Sequence, residues 1–241
     1  MFLTAFAQNM CLTCHEEHYE RVGACVYCHR GIDKTTRKAI AHYKLIRGGN
    51  ASFRFDEHSY VLKGKEVIKN AGCRRCHVIG GKGNLLSANI DISVKNNNMD
   101  EILKSIKHPV EYMPDFHFDD DQINIIVTAL LNEGFDEITR MDYVVVHFEE
   151  EKGDKSLFSK KCGNCHKIIS NPSGGLGNGR VGPNLSGLYS EYFPNISGID
   201  IWSKEKLKGW LRNPRDIKKT TDMPVLELQS NELKEILEIL E

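Results

Sequence analysis

Every cysteine in the chain belongs to a Cys-x-x-Cys-His pentad, and four such pentads occur among the 241 residues. The cysteine pairs are Cys11 and Cys14, Cys25 and Cys28, Cys73 and Cys76, and Cys162 and Cys165, and the histidines that follow them are His15, His29, His77 and His166. In this spacing two thiols can add to the two vinyl groups along one edge of a haem, and the next histidine can reach the iron. The pentads, numbered motifs 1 to 4 in chain order, therefore predict four covalently bound haem c groups.

Paired cysteines at this spacing also occur in zinc ribbons and in disulfide frameworks. Motifs 1 and 2 are close enough in sequence for their four thiols to share one tetrahedral zinc ion. A zinc ribbon, however, needs no histidine directly after each second cysteine, and here all four pairs have one. The haem interpretation explains both residue types, and it is the one that we favour.

The charge and hydropathy of the chain exclude several classes of function. A net charge of -1 argues against a nucleic acid as partner. No apolar run approaches the roughly 18 residues of a transmembrane helix, and the longest candidates are residues 1–7 and 143–146. Ala5-Phe6-Ala7 looks like the small-residue end of a secretory signal without the basic and apolar segments that normally precede it, so we expect a trimmed signal or a start site placed too late.

Two later parts of the chain repeat one order of elements around motifs 3 and 4. A short helix is expected before each motif, at residues 64–68 and 153–158. An amphipathic helix then ends at a proline, over residues 102–108 and 204–213, and a Met-Pro pair follows at Met113 and Met223. Asp119 and Ser230 are the predicted N-caps of the last helices. The apolar stripes of these helices comprise Ile123, Ile126, Val127, Leu130 and Leu131 in one copy and Leu233, Ile236, Leu237 and Leu240 in the other.

This order of elements resembles the class I cytochrome c family over about residues 60–135 and 150–241. The second copy is the closer match, with these residues in the family's order: Gly153, Phe158, Cys162, Cys165, His166, Gly182, Pro183, Asn184, Leu185, Gly187, Leu188, Trp202, Leu207, Leu211, Pro214 and Met223. The resemblance implies that Met223 is the sixth iron ligand. It also implies that the carbonyl of Pro183 accepts a hydrogen bond from the proximal histidine and that Trp202 bonds a haem propionate.

The first copy departs from the family's pattern, because no proline matches Pro183, so the pattern names no acceptor for its proximal histidine. The resemblance nevertheless implies that Met113 is its sixth ligand. The alternative for both Met113 and Met223 is a gap-filling methionine of the core.

Residues 8 to about 50 are too few for an ordinary core, so we expect the haems of motifs 1 and 2 to pack against each other there. No methionine follows these motifs within the segment, so histidines are the expected sixth ligands. His18 follows His15 too closely to fold back over the same iron, so we assign it to motif 2 and His42, on a helix predicted over residues 35–46, to motif 1. The reverse pairing stays open, and His58 is a reserve ligand. The segment loosely resembles multihaem cytochromes of respiratory bacteria.

We expect a mainly α fold of small haem-centred helical modules, two of them class I cytochrome c-like, with little β structure. The expected domains are a dihaem segment at 8–54, a first cytochrome c-like module at 55–135, a linker at 136–152 and a second module at 153–241. The linker contains an acidic run at 149–151 and a possible short strand at 143–148.

Thioether ligation raises the reduction potential of a haem relative to a pair of imidazoles, so motifs 1 and 2 should form the low-potential end. We expect a relay that is exported before haem attachment to the periplasm or the extracellular space. It would carry electrons from a respiratory donor, for which a membrane quinol-oxidising complex is one candidate, to a redox acceptor. The alternative is a haem-based reductase or peroxidase with an open iron in the dihaem segment, and a third class is haem-based sensing or a structural subunit of a respiratory assembly.

The cations beside motifs 3 and 4 either steer an acidic partner or form a solvated surface: Arg74, Arg75, Lys160 and Lys161.

Overall fold

The computed structural model describes residues 9–110, 112–136, 156–195, 198–199 and 201–240. Several sequence-based expectations lie outside these ranges. They are the signal-like Ala5-Phe6-Ala7, nearly all of the linker with its acidic run and possible strand, and the start of the helix predicted at 153–158.

Helices dominate the described residues, which contain eleven α-helices and one sheet of two strands. The helices are α1 (Cys25–His29), α2 (Lys38–Ala41), α3 (Gly48–Ala51), α4 (Ser59–Asn70), α5 (Ile90–Asn96), α6 (Met99–Lys107), α7 (Asp120–Gly134), α8 (Leu157–Lys161), α9 (Lys204–Arg212), α10 (Pro214–Ile217) and α11 (Ser230–Ile239). Short 3-10 turns occur at Met10–Thr13, Ser52–Arg54 and Cys73–Arg75. The antiparallel strands β1 (Ile168–Ser170) and β2 (Gly174–Leu176) pair with Ile168 opposite Leu176. The predicted fold class, mainly α with little β structure, is confirmed.

The chain divides into two compact units, each assembled from several segments. Unit 1 takes its described residues from 1–67, 91–108 and 117–137, and unit 2 takes them from 68–90, 109–116 and 138–241. Motifs 1 and 2 therefore lie in unit 1, and motifs 3 and 4 lie in unit 2. The domain boundaries expected from the sequence, which give motif 3 a module of its own, remain a prediction.

Helix α7 forms the centre of unit 1. Asp119 caps it as predicted, because its carboxylate accepts a hydrogen bond from the backbone N–H of Gln122 at 2.8 Å. The apolar stripe predicted for α7 is buried. Helix α4 packs closely against it, since a Cβ on Gly64 would lie only 2.1 Å from the carbonyl oxygen of Ile125. A glycine is therefore required at this crossing.

Helix α3 is joined to α7 by a buried polar contact. The side chain of Asn50 is 3% exposed, and its amide donates to the hydroxyl of Thr128 at 3.0 Å and to the carbonyl of Asn124 at 3.1 Å. Because a buried amide is costly without partners, these bonds fix where α3 sits on α7.

One predicted helix of unit 1 is much shorter in the structure. The helix expected over residues 35–46 is reduced to α2, and His42 is its C-cap. Lys44 follows with a φ of 53°, in the left-handed region, through which an α-helix cannot continue. His42 therefore stands at a helix end rather than on a helix face.

The core of unit 2 surrounds the space beside motif 4. Its buried side chains come from α8, both strands, α9, α11 and the loops between them, and include Phe158, Ile168, Leu176, Leu188, Phe193, Trp202, Leu207, Trp210, Leu211, Ile236 and Leu237. Helix α9 ends before Pro214 as predicted. The predicted N-cap of α11 was wrong by one residue: Gln229 caps the helix, and its backbone N–H donates to the carboxylate of Glu232 at 2.8 Å.

Candidate haem sites

The motif cysteines are free thiols in the structure, so they form no disulfide framework. Across the described residues, no three or more histidine, cysteine or acidic side chains meet in a group that could hold a metal ion, which is what a zinc ribbon requires. Burial raises the pKa of Cys73 and of Cys162 to about 11. Thiols that belong to no disulfide and to no such metal-binding group among the described residues are available for thioether bonds.

Three motif histidines are oriented by a hydrogen bond from ring Nδ1 to a backbone carbonyl. The pairs are His29 with Ile46 at 3.0 Å, His77 with Ala88 at 2.7 Å, and His166 with Pro183 at 2.8 Å. When Nδ1–H donates in this way, the ring keeps a lone pair on Nε2. Each ring is therefore prepared to bind a metal ion through Nε2. The contact between His166 and Pro183 is the one that the resemblance implies.

The acceptor for His77 could not be named from the sequence. Ala88 accepts the hydrogen bond of the proximal histidine, as Pro183 does at motif 4. Its loop is shorter, because Ala88 is 11 positions after His77, whereas Pro183 is 17 positions after His166. This loop folds back tightly at Gly83, where φ is 121° and a Cβ would lie 2.2 Å from the carbonyl oxygen of His77. Since every residue has a main-chain carbonyl, no side-chain signal marks the acceptor.

The ring of His42 lies beside the ring of His15 in unit 1. Their centroids are 5.9 Å apart and their planes are inclined by 44°. Both rings line a cleft of about 250 Å³ together with the two cysteines of motif 1. Two imidazoles on opposite sides of one metal ion, with metal–nitrogen distances of about 2 Å, have centroids about 6 Å apart. The separation of His15 and His42 therefore matches a metal ion held between them.

Motif 2 has the same arrangement with a different partner. The centroids of His18 and His29 are 5.7 Å apart, and both rings line a cleft of about 450 Å³. His58 lines this cleft too, but its Nδ1 accepts a hydrogen bond from the backbone N–H of Tyr60 at 3.2 Å. A neutral imidazole that accepts at Nδ1 carries its proton on Nε2, so this His58 tautomer offers no lone pair there. The geometry favours His18 over His58.

Motif 4 opens into a cavity of about 350 Å³ in unit 2. Pro183, Trp202 and Met223, the three residues given roles by the resemblance, all line it. The indole Nε1 of Trp202 is buried and has no hydrogen-bond partner among the described residues. On another wall, the indole N–H of Trp210 donates to the sulfur of Met223 at 2.9 Å. The cavity thus holds a buried donor that needs an acceptor.

Met113 lies in unit 2 with motif 3 and is half-buried. Its backbone N–H donates to the carbonyl of Val110 at 3.1 Å. The carbonyl of the preceding residue, Tyr112, accepts a hydrogen bond from the side-chain amide of Asn184 at 2.8 Å. The main chain next to Met113 is therefore held from two sides.

Two family models match the chain in the parts that contain motifs 3 and 4. Residues 61–128 match the model described as Cytochrome C oxidase, cbb3-type, subunit III, and residues 151–240 match the model described as Cytochrome c. The chain contains two cytochrome c-type domains. Motifs 1 and 2 precede both of them. No solved structure matches the chain significantly.

The residues of the second cytochrome c-type domain fit a covalently bound haem c. Cys162 and Cys165 supply free thiols and His166 supplies a ring nitrogen with a lone pair. The unpartnered N–H of Trp202 would donate to an acidic propionate, which explains why this buried donor lacks an acceptor in the protein. Two such domains support a haem protein of electron transfer with more than one haem. Along the described ranges, no helix is both long enough and apolar enough to cross a bilayer.

Arg75, in the first cytochrome c-type domain, differs from both sequence-based interpretations. It is 7% exposed, so it neither steers a partner nor lies on a solvated surface. Its guanidinium donates to the carbonyl of Asn184 at 2.9 Å and lies over the ring of Phe193 at 5.3 Å. Burial lowers the pKa of Arg75, but a guanidinium remains charged in proteins. Motif 3 therefore contains a buried cation, because Arg75 lies between Cys73 and Cys76 in the sequence.

Proposed function

We propose that the chain is a tetrahaem c-type cytochrome that acts as a periplasmic electron-transfer relay between a respiratory donor and a redox acceptor. Haem c supplies reversible one-electron exchange at its iron. The chain would attach each group through two cysteines and bind it through a histidine, and clefts lie beside motifs 1, 2 and 4. A membrane quinol-oxidising complex is a candidate donor, and the chain itself transforms no substrate.

The proposed sites 1 to 4 correspond to motifs 1 to 4 and differ in the second iron ligand. The ligand pairs are His15 with His42 at site 1, His29 with His18 at site 2, His77 with Met113 at site 3, and His166 with Met223 at site 4. Sites 3 and 4 are those supported by the matched domains. Sites 1 and 2 rest on the motifs and on the histidine geometry.

The observation that carries the proposal is that each motif histidine of unit 1 faces a second histidine at the separation expected across one iron. The two centroid distances, 5.9 Å and 5.7 Å, match two imidazoles that share one iron and would occupy both of its axial positions. A six-coordinate iron exchanges electrons without offering a position to substrate. This arrangement favours a relay over a reductase or a peroxidase.

A direct contact between motifs 1 and 2 supports electron exchange within unit 1. The side chain of Asn9 accepts a hydrogen bond from the backbone N–H of Cys11 at 3.1 Å, and its amide donates to the sulfur of Cys25 at 3.4 Å. One short side chain thus reaches a thioether-forming residue of each motif. Two haems attached at these positions would lie close together.

The proposed ligand pairs also imply an order of reduction potentials among the four sites. Thioether ligands raise the reduction potential relative to paired imidazoles, so electrons would enter at sites 1 and 2 and leave at sites 3 and 4. The periplasmic location rests on the chemistry of attachment, because haem c is joined to protein thiols on the outer side of the energy-coupling membrane in families with this motif.

Electron paramagnetic resonance of the fully oxidised protein, with and without nitrite or cyanide, tests the proposal. We expect four low-spin signals, two of bis-histidine and two of histidine–methionine type, that neither anion perturbs. His18→Ala and His42→Ala should each convert one bis-histidine signal into a high-spin iron that binds cyanide. His58→Ala is the matched control and should leave all four signals unchanged.

Two outcomes would contradict the proposal. A high-spin iron that binds nitrite in the unmodified protein would favour the haem-based reductase instead. A high-spin iron in the His58→Ala variant, with the His18→Ala spectrum unchanged, would show that the ligand of site 2 is assigned wrongly.

A further inference from the structure

Asn184 uses its main chain and its side chain to contact two other segments of unit 2 and a residue of its own loop. Its carbonyl accepts a hydrogen bond from Arg75 at 2.9 Å, and its side-chain amide donates to the carbonyl of Tyr112 at 2.8 Å. Its side-chain oxygen accepts from the backbone N–H of Ser186 at 2.9 Å. The last of these bonds fixes the amide orientation, because the oxygen and the nitrogen then face different partners.

The segments that Asn184 joins belong to different sites. Arg75 lies between the two cysteines of motif 3, and Tyr112 directly precedes Met113, so these contacts reach both sides of site 3. Asn184 itself follows Pro183, whose carbonyl accepts from His166 at site 4. One residue of the site 4 loop is therefore bonded to the attachment segment and to the methionine segment of site 3.

The motif 3 segment and the segment that follows Asn184 are closely packed against each other. A Cβ on Gly187 would lie 2.4 Å from the carbonyl oxygen of Arg75, and a Cβ on Gly72 would lie 2.8 Å from the ring of Pro194. The segment of motif 3 thus packs against Gly187 and Pro194, which both follow Asn184 in the chain, with no space for one methyl group. Arg75 and Asn184 are held in register by this packing.

We propose that Asn184 is a positioning residue for site 3, which holds the Met113 segment so that its thioether reaches the iron. The inference rests on the proposed function, since it takes Met113 as the sixth ligand. The segment around Met113 forms no helix or strand in its described residues, so bonds to neighbouring segments must set its place. Loss of the Asn184 amide bond should lower the ratio of bound to detached methionine about tenfold, the effect of one well-formed hydrogen bond.

Asn184→Asp tests this with a minimal change. The variant keeps the carbonyl for Arg75 and an oxygen for Ser186, but it replaces the donor facing Tyr112 with a carboxylate oxygen. Asn84→Asp is the matched control, because the Asn84 amide also donates to a backbone carbonyl of unit 2, that of Arg75 at 3.1 Å, without reaching the Met113 segment. Both proteins are compared as full chains carrying all their haems.

The readout is the methionine-to-iron charge-transfer absorption of the ferric protein, together with the affinity for added imidazole. We expect Asn184→Asp to bind one imidazole about tenfold more tightly and to lose part of the absorption that site 3 contributes, whereas Asn84→Asp behaves as the unmodified protein. If the aspartate variant does not retain its haems, Asn184→Ser, whose hydroxyl is too short to reach Tyr112, is measured instead with the same expectation.

The Met113→Ala variant tests the ligand assignment of site 3 separately from the positioning role of Asn184. If it loses half of the absorption and Asn184→Asp binds imidazole no more tightly than the unmodified protein, Met113 is a ligand but Asn184 does not position it, and the inference is overturned. If Met113→Ala leaves the absorption intact, the ligand assignment of site 3 fails. A loss of half of the absorption in Met113→Ala, together with about tenfold tighter imidazole binding by Asn184→Asp, supports both.

Discussion

Replacing Gly182 with alanine should disrupt site 4 through a single methyl group. A Cβ at this position would lie 2.2 Å from Cε1, 2.5 Å from Nδ1 and 2.8 Å from Nε2 of the His166 ring. The ring cannot move away freely, because its Nδ1–H donates to the carbonyl of Pro183 at 2.8 Å and Cys165 precedes it in the chain. The overlap therefore has to be relieved by a shift of the loop or by loss of the ring position.

The cost of such overpacking is about 1–3 kcal/mol. In a module of this size each kcal/mol lowers the melting temperature by about 4–8 °C, so we expect a fall of roughly 4–24 °C. Gly209→Ala is the matched control: Gly209 lies within α9, and the nearest atom to its Cβ is Cδ1 of Ile217 at 4.0 Å. There alanine should stabilise the helix by about 0.5–1 kcal/mol.

Thermal unfolding of both variants, followed by circular dichroism and haem absorption, measures these changes, and electron paramagnetic resonance reports on site 4. The reasoning is refuted if Gly182→Ala unfolds within about 0.5 kcal/mol of the unmodified protein and keeps the site 4 signal. Destabilisation by Gly209→Ala would equally show that the space around these glycines is described wrongly.

Three further perturbations follow from the buried polar groups. Asn50→Ala should lower the free energy of unfolding by about 1–3 kcal/mol in urea titrations, because Thr128 loses its donor, whereas Ser52→Ala, at an exposed hydroxyl, should change little. Trp202→Phe should cost about 1.5–3 kcal/mol if its N–H bonds a charged propionate, and a loss below about 0.5 kcal/mol would contradict that role. Burial lowers the pKa of His77, and an iron bound at its Nε2 would exclude a proton there as well, so the unfolded chain binds the proton more readily and stability should fall as the pH drops below about 6.5. A His77→Met variant should show a weaker pH dependence between about pH 7.5 and pH 5, and an unchanged slope would assign the effect to other groups.

The sequence alone determined the features that depend on residue type and local spacing. The four pentads indicate haem attachment because thiols and imidazole must stand at fixed intervals along the chain. The apolar stripes of α7 and α11 predicted buried helix faces, and Pro214 predicted the end of α9, because helical periodicity and a missing amide act locally. The N-cap of α11 was predicted one residue too late, at Ser230, because Gln229 and Glu232 form a capping pair there.

The tertiary structure decided what no local pattern encodes. Ala88 serves as the acceptor for His77 through a main-chain oxygen, which all residues share, so only the fold of the loop selects it. The rings of His42 and His18 lie beside His15 and His29, respectively, and only the folded chain chose this pairing over the reverse one that the sequence left open. Arg75 looked like a surface cation, yet packing against Phe193 and the bond to Asn184 bury it. The contact between Arg75 and Asn184 joins segments more than a hundred residues apart, so it depends on how the whole unit folds. A local pattern of residues cannot predict such a contact.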